Sequence, residues 1–280
     1  MSPSCYRSFG TMFKCLAAGL FLCIATRAYA ADVDMPAPGA PIAGLTPAAI
    51  TVIEPRESTS LKPVEHTYKG YPAAPVLDQL LGTRWRATDV LVTFEARDGY
   101  LSMVPSSRLA HFPAYMVYAS AQGSDFSIEV PPLNERVPLG PWYLVWDNIL
   151  NPVLRADGAT YWPYQVTKVG VMAPEKLQAL FPPMLPEKYR DGAQLARQYC
   201  LSCHQVNGVG GSMMPIDLAQ WTAHQSFASF ATWALDPSGK NPLTAMTPLA
   251  VGRPAAERQR MARQIYGYLR AVGALGRQPQ

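Results

Sequence analysis

The chain has 280 residues, of which 24 are lysine or arginine and 20 are aspartate or glutamate, so its formal net charge is +4. Three of the basic residues lie in the first thirty positions, which leaves 21 basic and 20 acidic side chains in the rest. A nearly neutral chain lacks the basic surface that nucleic-acid binding needs, so we expect no nucleic-acid partner.

The first thirty residues are predicted to be a secretory signal. Basic residues precede the apolar run Cys15–Ala25, and Ala28 and Ala30 occupy the −3 and −1 positions of a cleavage site. A membrane anchor is the alternative, but this run is much shorter than the ~20 residues that span a bilayer. Lipoprotein cleavage before Cys23 is another, although bulky residues precede it. We therefore expect a periplasmic protein without a membrane span after cleavage.

Charge divides the remaining chain into two parts. Residues 31–182 carry 11 basic and 15 acidic side chains, whereas residues 183–280 carry 10 and 5. The change coincides with the proline cluster Phe181–Lys188, which is typical of a linker. The sequence therefore predicts two domains joined at residues 181–186.

The first part is predicted to be rich in strands. Residues 31–63 contain many prolines and little periodicity, which indicates an extended arm. From residue 64 to residue 180, alternating runs such as "DVLVTFEARDGYLSMV" and short β-rich runs such as "FSIEV" and "WYLVW" lie between turn residues. This pattern predicts an α+β domain, mostly β, over 64–180.

The segment "RQYCLSCHQVNGVGG", residues 197–211, contains the two cysteines that follow the leader. Three chemistries use two cysteines at this spacing. A thioredoxin-like pair follows a strand of a βαβ unit, and zinc needs two further ligands at recognisable spacing. In c-type haem attachment, Cys200 and Cys203 bind the porphyrin covalently and His204 ligates the iron. The pentapeptide favours one covalent haem c.

The flanking sequence fits this interpretation. Asp191–Cys200 reads as a helix that delivers the first cysteine, and glycines after His204 allow a tight fold over a cofactor. The segment Arg253–Gly273 is a predicted helix with proline near its start and glycine at its end. Its predicted apolar stripe consists of Met261, Ile265, Tyr268, Leu269 and Val272.

Residues 187–275 resemble a mono-haem cytochrome c domain of the small soluble type, which implies an all-α C-terminal domain. Gly192 matches the first-helix glycine that lets the last helix cross closely. Tyr268 and Leu269 match the aromatic–aliphatic pair that packs at that crossing.

The same resemblance implies further haem-site residues. Pro215 matches the proline whose carbonyl orients the proximal histidine. The loop Asn241–Ala250 matches the distal-ligand loop, which implies Met246 as the second iron ligand and a raised potential. Thr247 departs from the proline that usually follows this methionine. The alternative iron ligands in this sequence are Met213, Met214 and His224.

The first domain resembles, more weakly, the molybdopterin-binding domain of the sulfite oxidase type. The resemblance rests on "EARDGYLSMVPSSRLA" followed by "GPWYLVWDN" and "YWPYQVTKVGV". That family holds molybdenum with a cysteine thiolate, and the chain after the leader has no cysteine outside the haem motif. The resemblance therefore implies the fold without the metal. Four side chains of this domain are candidates for contact with an anionic ligand, and the alternative is that they form salt bridges. They are Arg84, Arg86, Arg108 and His111.

We expect an exported electron carrier with redox protein partners, whose first domain docks or orients one of them. The sequence shows no cluster for acid–base or nucleophilic work in the haem domain. One alternative is a fused oxidoreductase in which the first domain binds a second cofactor and passes electrons to the haem. Another is a structural subunit that uses the haem for stability.

Overall fold

The computed structural model describes residues 32–59, 61–123, 125–130 and 135–276. The predicted secretory signal lies outside these residues. We call residues 32–172 the N-terminal half and residues 173–276 the C-terminal half.

Strands build most of the N-terminal half. Within the described residues the strands are β1 (Val33–Asp34), β2 (Ala48–Ile53), β3 (Glu65–Pro72), β4 (Leu91–Ala96), β5 (Leu101–Pro105), β6 (Ala114–Ser120), β7 (Ser127–Val130), β8 (Glu135–Pro138), β9 (Tyr143–Trp146), β10 (Val166–Val171), β11 (Gln205–Val206) and β12 (Val209–Gly210).

Helices lie mainly in the C-terminal half. In the same residues they are α1 (Ala73–Leu81), α2 (Ser106–His111), α3 (Pro174–Leu180), α4 (Arg190–Tyr199), α5 (Leu218–Ala223), α6 (Phe227–Leu235), α7 (Pro237–Lys240) and α8 (Ala255–Leu275). Single 3-10 turns cover Gly82–Arg86, Pro152–Asp157 and Glu187–Tyr189.

Two antiparallel sheets of four strands share one apolar core in the N-terminal half. Their strand orders are β1-β10-β4-β5 and β2-β3-β6-β9, and β7 and β8 form a separate hairpin. Both sheets contribute side chains to a single buried cluster. Its bulkiest members, at most 1% exposed, are Trp85, Trp142, Trp146 and Trp162.

The sheet that contains β4 and β5 is buried on both faces. Successive side chains of a strand point to opposite faces. Val92 and Val104 accordingly belong to the core between the two sheets. Their neighbours Leu91 and Met103 point the other way, into the core of the C-terminal half. This sheet is therefore the middle layer of the molecule.

The helices of the C-terminal half pack around α8. The predicted apolar stripe of this helix is confirmed, since all five of its residues are at most 6% exposed. Gly192 of α4 lies where the two helices cross. A Cβ atom at this position would stand only 2.1 Å from the backbone oxygen of Gln264. The close crossing expected at Gly192 is confirmed.

The prediction of an all-α C-terminal domain is wrong. The chain is mixed α/β with several antiparallel sheets, and no clear all-α domain follows the first one. Asn207 and Gly208, both with positive φ, close the β11–β12 hairpin directly after the cysteine motif. Leu91, Met103 and Met172 of the N-terminal half complete the core of the helices. The apolar faces of these helices are covered by the sheet.

The proline-rich stretch expected as an extended arm contributes two strands. β1 pairs with β10, and β2 pairs with β3 over its whole length. Val52 and Glu54 of this stretch are fully buried. Among the described residues, none of the helices combines the length and the apolar character that crossing a membrane requires.

Candidate functional site

The cysteine motif forms one tight turn at the end of α4. The amide of Cys200 donates to the carbonyl of Ala196 at 2.8 Å, which continues the helical pattern by one residue. The amides of Cys203 and His204 then both donate to the carbonyl of Cys200, at 3.3 and 3.0 Å. We call Cys200–His204 the attachment turn. Its hydrogen bonds bring both thiols and the imidazole onto a single turn of backbone.

The imidazole of His204 is held by a backbone carbonyl. Its Nδ1–H donates to the carbonyl oxygen of Met214 at 3.1 Å, because a carbonyl can only accept. Burial lowers the pKa of His204, although this hydrogen bond opposes the shift. Among the described residues, Nε2 of this ring has no hydrogen-bond partner. The ring is therefore a neutral imidazole with a free lone pair on Nε2.

The expectation that Pro215 supplies this carbonyl is corrected by one position. The amide of Met214 donates to the carbonyl of Cys203 at 2.9 Å, which directs the carbonyl of Met214 back toward the ring. Pro215 follows directly and has no amide hydrogen to offer. Pro215 therefore adjoins the residue whose carbonyl accepts the hydrogen bond from His204, but does not itself accept it.

The glycines after the motif let the chain close over the attachment turn. A Cβ atom at Gly210 would lie 2.1 Å from the carbonyl oxygen of His204, and φ at this position is +136°. At Gly211 the nearest atom would be the carbonyl oxygen of Ser202, at 1.9 Å. These close approaches show that the chain folds tightly over the attachment turn, and a fold over a cofactor stays a prediction.

The two thiols are free, and both cysteines are partly buried. Burial raises the pKa of Cys200 to about 12 and that of Cys203 to about 11. Both are therefore protonated at neutral pH. The thioredoxin-like alternative expects a strand before the first cysteine, whereas the helix α4 precedes Cys200.

Met246 lies in the loop between α7 and α8. The amide of Met246 donates to Thr244 Oγ1 at 3.2 Å, and the amide of Leu249 donates to the carbonyl of Ala234 at 2.8 Å. The guanidinium of Arg258 donates to the carbonyl of Leu249 at 2.7 Å. The loop is thus anchored at its end, while the side chain of Met246 is 36% exposed. His224, the alternative ligand, is exposed at the end of α5.

The residues present fit a haem. Large apolar side chains are exposed in the two segments that follow the attachment turn and precede α8. They are Met213, Met214, Ile216, Leu243, Met246 and Val251. The first of these segments adjoins the attachment turn through the hydrogen bond between His204 and Met214, and an apolar macrocycle held at the turn would cover the exposed side chains beside it.

The N-terminal half contacts the attachment turn through the turn between β4 and β5. The amide of Leu101 donates to the carbonyl of Ser202, and the amide of Ser212 donates to the carbonyl of Gly99, both at 2.8 Å. A Cβ atom at Gly99 would lie 2.3 Å from Ser212 Oγ. Tyr100 also hydrogen bonds to Ser202. No motif or periodicity in the sequence predicts this contact, because its residues are far apart along the chain.

A buried polar cluster lies behind this contact. Glu54 is fully buried and accepts hydrogen bonds from the hydroxyls of Tyr68 and Tyr143 at 3.0 to 3.1 Å. The amide of Arg56 also donates to this carboxyl. Burial raises the pKa of Glu54, and the charge of Arg56 opposes the shift.

A cleft of about 840 Å³ lies where α2 of the N-terminal half faces α4 and α8, and its lining includes Tyr199, the residue before the attachment turn. Arg108 lines it and donates from Nη1 to Asp157 at 2.8 Å. Its guanidinium also stands over the ring of Tyr161 at 5.0 Å. Arg86 is paired with Asp78 outside the cleft. Of the four candidate anion contacts, only Arg108 and His111 share the cleft.

Comparisons of the chain with protein-family profiles, with curated proteins and with solved structures find no match. Across the described ranges, no group of three or more histidine, cysteine, aspartate or glutamate side chains is placed to hold a metal ion.

Proposed function

We propose that the chain is an exported c-type cytochrome that carries single electrons between a periplasmic dehydrogenase and a downstream acceptor. One observation carries the proposal. Cys200, Cys203 and His204 lie on one turn of backbone, with His204 Nδ1 bound to a carbonyl and Nε2 left available.

The proposed roles follow from the chemistry of each side chain. Cys200 and Cys203 would hold haem c through thioether bonds to their sulfurs. His204 Nε2 and the sulfur of Met246 would ligate its iron. Haem held in this way supplies a one-electron couple between ferric and ferrous iron.

The remaining residues hold and shield the group. The carbonyl of Met214 keeps the proton of His204 on Nδ1, which fixes the orientation of the ring and makes Nε2 a stronger donor. Met213, Ile216 and Leu243 exclude water from the macrocycle. In this proposal the N-terminal half docks or orients a redox partner.

The first test is covalent attachment. Protein from a host that exports and matures c-type cytochromes is extracted with acidified organic solvent, and haem is quantified in both phases. We expect one haem per chain to stay with the protein, because the chain has one C-x-x-C-H motif. Cys200→Ala and Cys203→Ala should each lose most of the bound haem. Free extraction from the wild-type protein would contradict the proposal.

A fused oxidoreductase is the second candidate, and the cleft beside α2 favours it. The cleft is large enough for a small organic ligand, and Arg108, Arg197, Arg253 and Arg260 line it. Metal and cofactor analysis of native protein separates the two candidates. Haem iron as the sole redox group favours the carrier. One equivalent of a bound organic cofactor favours the enzyme. One equivalent of molybdenum favours the enzyme too, and it also contradicts the expectation of a metal-free first domain.

A further inference from the structure

The backbone carbonyls of the attachment turn are hydrogen bonded from the first cysteine to the second. Those of Cys200 and Cys203 accept amides of the C-terminal half, and that of Leu201 accepts the amide of Gly211 at 2.8 Å. Buried carbonyls rarely lack a partner in folded proteins, because leaving one unpaired is costly. The C-terminal half thus satisfies three of the four carbonyls of residues 200–203.

The fourth carbonyl, that of Ser202, depends on the N-terminal half. Ser202 is 9% exposed, and its carbonyl accepts the amide of Leu101 at 2.8 Å. Within the part of the chain that the structure describes, this amide is its only donor. Leu101 is the first residue of β5, and its side chain packs against the core of the helices. The N-terminal half therefore supplies the one hydrogen bond that the C-terminal half does not provide for this turn.

The turn between β4 and β5 fits closely against a second segment of the C-terminal half. The carbonyl of Gly99 accepts the amide of Ser212 at 2.8 Å, so the two halves exchange hydrogen bonds in both directions. At Gly99 φ is +86°, and a Cβ atom there would lie 3.1 Å from the backbone nitrogen of Met213. A Cβ atom at Gly211 would lie 3.0 Å from the carbonyl oxygen of Gly99. Glycine on both sides permits this approach.

We propose that the turn between β4 and β5 positions the attachment turn for haem. This inference rests on the proposed function. Ser202 lies between the two cysteines, so a bond to its carbonyl restricts the backbone that carries both thiols. A site that is ordered before its ligand arrives avoids the entropy cost of ordering on binding. Gly99 and Leu101 are thus positioning residues, and the haem-binding turn of the C-terminal half is completed by the N-terminal half.

Removing the amide hydrogen of Leu101 tests this role. Leu101→Pro should leave the pairing of β4 with β5 intact, because this amide bonds to Ser202 and proline is tolerated at the first residue of a strand. Leaving the buried carbonyl of Ser202 unpaired should change the opening equilibrium of the turn by about tenfold. In full-length apoprotein, the amides of Cys203 and His204 should therefore exchange with solvent about tenfold faster than in wild type.

Leu101→Ala is the matched control, because it truncates the side chain and keeps the amide. It should weaken the packing against the helices without faster exchange at Cys203 and His204. The second measurement is haem retained after acid–organic extraction, in protein from a host that matures c-type cytochromes. Leu101→Pro should retain severalfold less haem per chain than Leu101→Ala.

Gly99→Ala breaks the same contact from its other side, since the new methyl group would lie 2.3 Å from Ser212 Oγ. Gly44→Ala controls for backbone strain alone. Its φ is +70°, and a Cβ atom there would have no neighbour within 4 Å among the described residues. Gly99→Ala should show the faster exchange at Cys203 and the lower haem content, whereas Gly44→Ala should match wild type in both. This pair decides if Leu101→Pro does not fold.

The outcomes separate this role from the proposed function. Wild-type protein without covalent haem would overturn the proposed function and this role with it. If wild type carries covalent haem, equal exchange rates or equal haem contents in Leu101→Pro and Leu101→Ala overturn the positioning role alone. Where the proline variant does not fold, equality of Gly99→Ala and Gly44→Ala in either measurement does the same.

Discussion

At the scale of single residues, the site depends on groups held in their neutral forms. The carbonyl of Met214 accepts from both the imidazole of His204 and the amide of Ile216, at 3.1 and 2.7 Å. This fixes one tautomer of His204, while burial keeps the ring and both thiols uncharged. The motif in the sequence located these residues. It could not identify the carbonyl, because that depends on how the following loop turns back.

Replacing Met246 tests the assignment of the second iron ligand. We expect Met246→Ala to lower the reduction potential and to remove the sulfur-to-iron charge-transfer band of the oxidised protein, since a thioether ligand raises the potential. Met213→Ala and Met214→Ala are the matched controls, because both side chains are exposed in the neighbouring segment. They should leave the band intact. Loss of the band in His224→Ala instead would show bis-histidine ligation.

The buried carboxyl of Glu54 predicts a pH dependence. Burial raises its pKa above the ordinary 4.5, against the opposing effect of Arg56 and the hydrogen bonds. The folded chain therefore keeps a proton that the unfolded chain releases above about pH 4.5, so the contribution of Glu54 to stability falls as pH rises through the folded pKa. Urea unfolding between pH 4.5 and 7 measures this slope.

Glu54→Gln should flatten this slope, because the amide does not titrate in that range. The matched control is Glu65→Gln, whose side chain is exposed at the start of β3. It should retain the wild-type slope. Equal slopes in wild type and Glu54→Gln would show that the carboxyl is ionised in the folded chain at the same pH as in the unfolded one.

At the scale of elements, the crossing of α4 and α8 fixes the geometry of the attachment turn. α4 ends at Tyr199 and delivers Cys200, so its position against α8 places the motif. Gly192 allows the backbones to approach, and Tyr268 lies at the same contact, since a Cβ atom at Gly192 would be 3.0 Å from Cβ of Tyr268. The hydroxyl of Tyr268 donates to the carbonyl of Leu180 at 2.9 Å.

Gly192→Ala should destabilise the chain by about 1–3 kcal/mol, because the new methyl group would meet the backbone of Gln264. Gly267→Ala is the control on the facing helix. Its methyl group would meet only the ring of Tyr189 at 3.4 Å, and alanine favours a helix over glycine by about 1 kcal/mol. We expect this variant to be at least as stable as wild type. Equal destabilisation by both substitutions, measured by denaturant unfolding, would contradict the role of Gly192.

Periodicity predicted some elements and missed others for physical reasons. The stripe of α8 and the alternation of β4 and β5 are local patterns, and both were found in the sequence. β2 was missed because prolines surround it in the sequence. The strand itself contains no proline and pairs with β3 over its whole length. The β11–β12 hairpin has two residues on each side of Asn207 and Gly208, too few for any period to appear. The contact between Gly99 and Ser212 joins residues more than a hundred positions apart.

At the scale of the whole molecule, the two halves are joined by their cores and by polar contacts. Arg197 of α4 donates to the carbonyl of Met103 at 2.8 Å, and Arg253 lies 3.6 Å from Asp157. Three arginines of α8 are engaged inside the C-terminal half. Arg258 and Arg270 donate to backbone carbonyls, and Arg263 stands over the ring of Phe227.

A shared core predicts that the two halves unfold together. Met103 is 1% exposed and extends from β5 into the core of the helices, so truncating it leaves a cavity between the middle sheet and α8. Met103→Ala should cost about 2–5 kcal/mol. This loss of stability should lower the unfolding midpoint measured by tryptophan fluorescence and the one measured by haem absorption by the same amount. Four of the six tryptophans report on the N-terminal half, and in the proposed holoprotein the haem would report on the other.

Coincidence of these two signals is the critical observation, because a single cooperative transition gives the same midpoint with every probe. Met184→Ala is the control, since Met184 is 74% exposed and its truncation should change stability by less than about 0.5 kcal/mol. Separate wild-type midpoints for fluorescence and haem absorption would mean that the helices hold together without the sheet. Leu91, Met103 and Met172 would then contribute little to their core, and the middle layer would be a contact surface between two independent folding units.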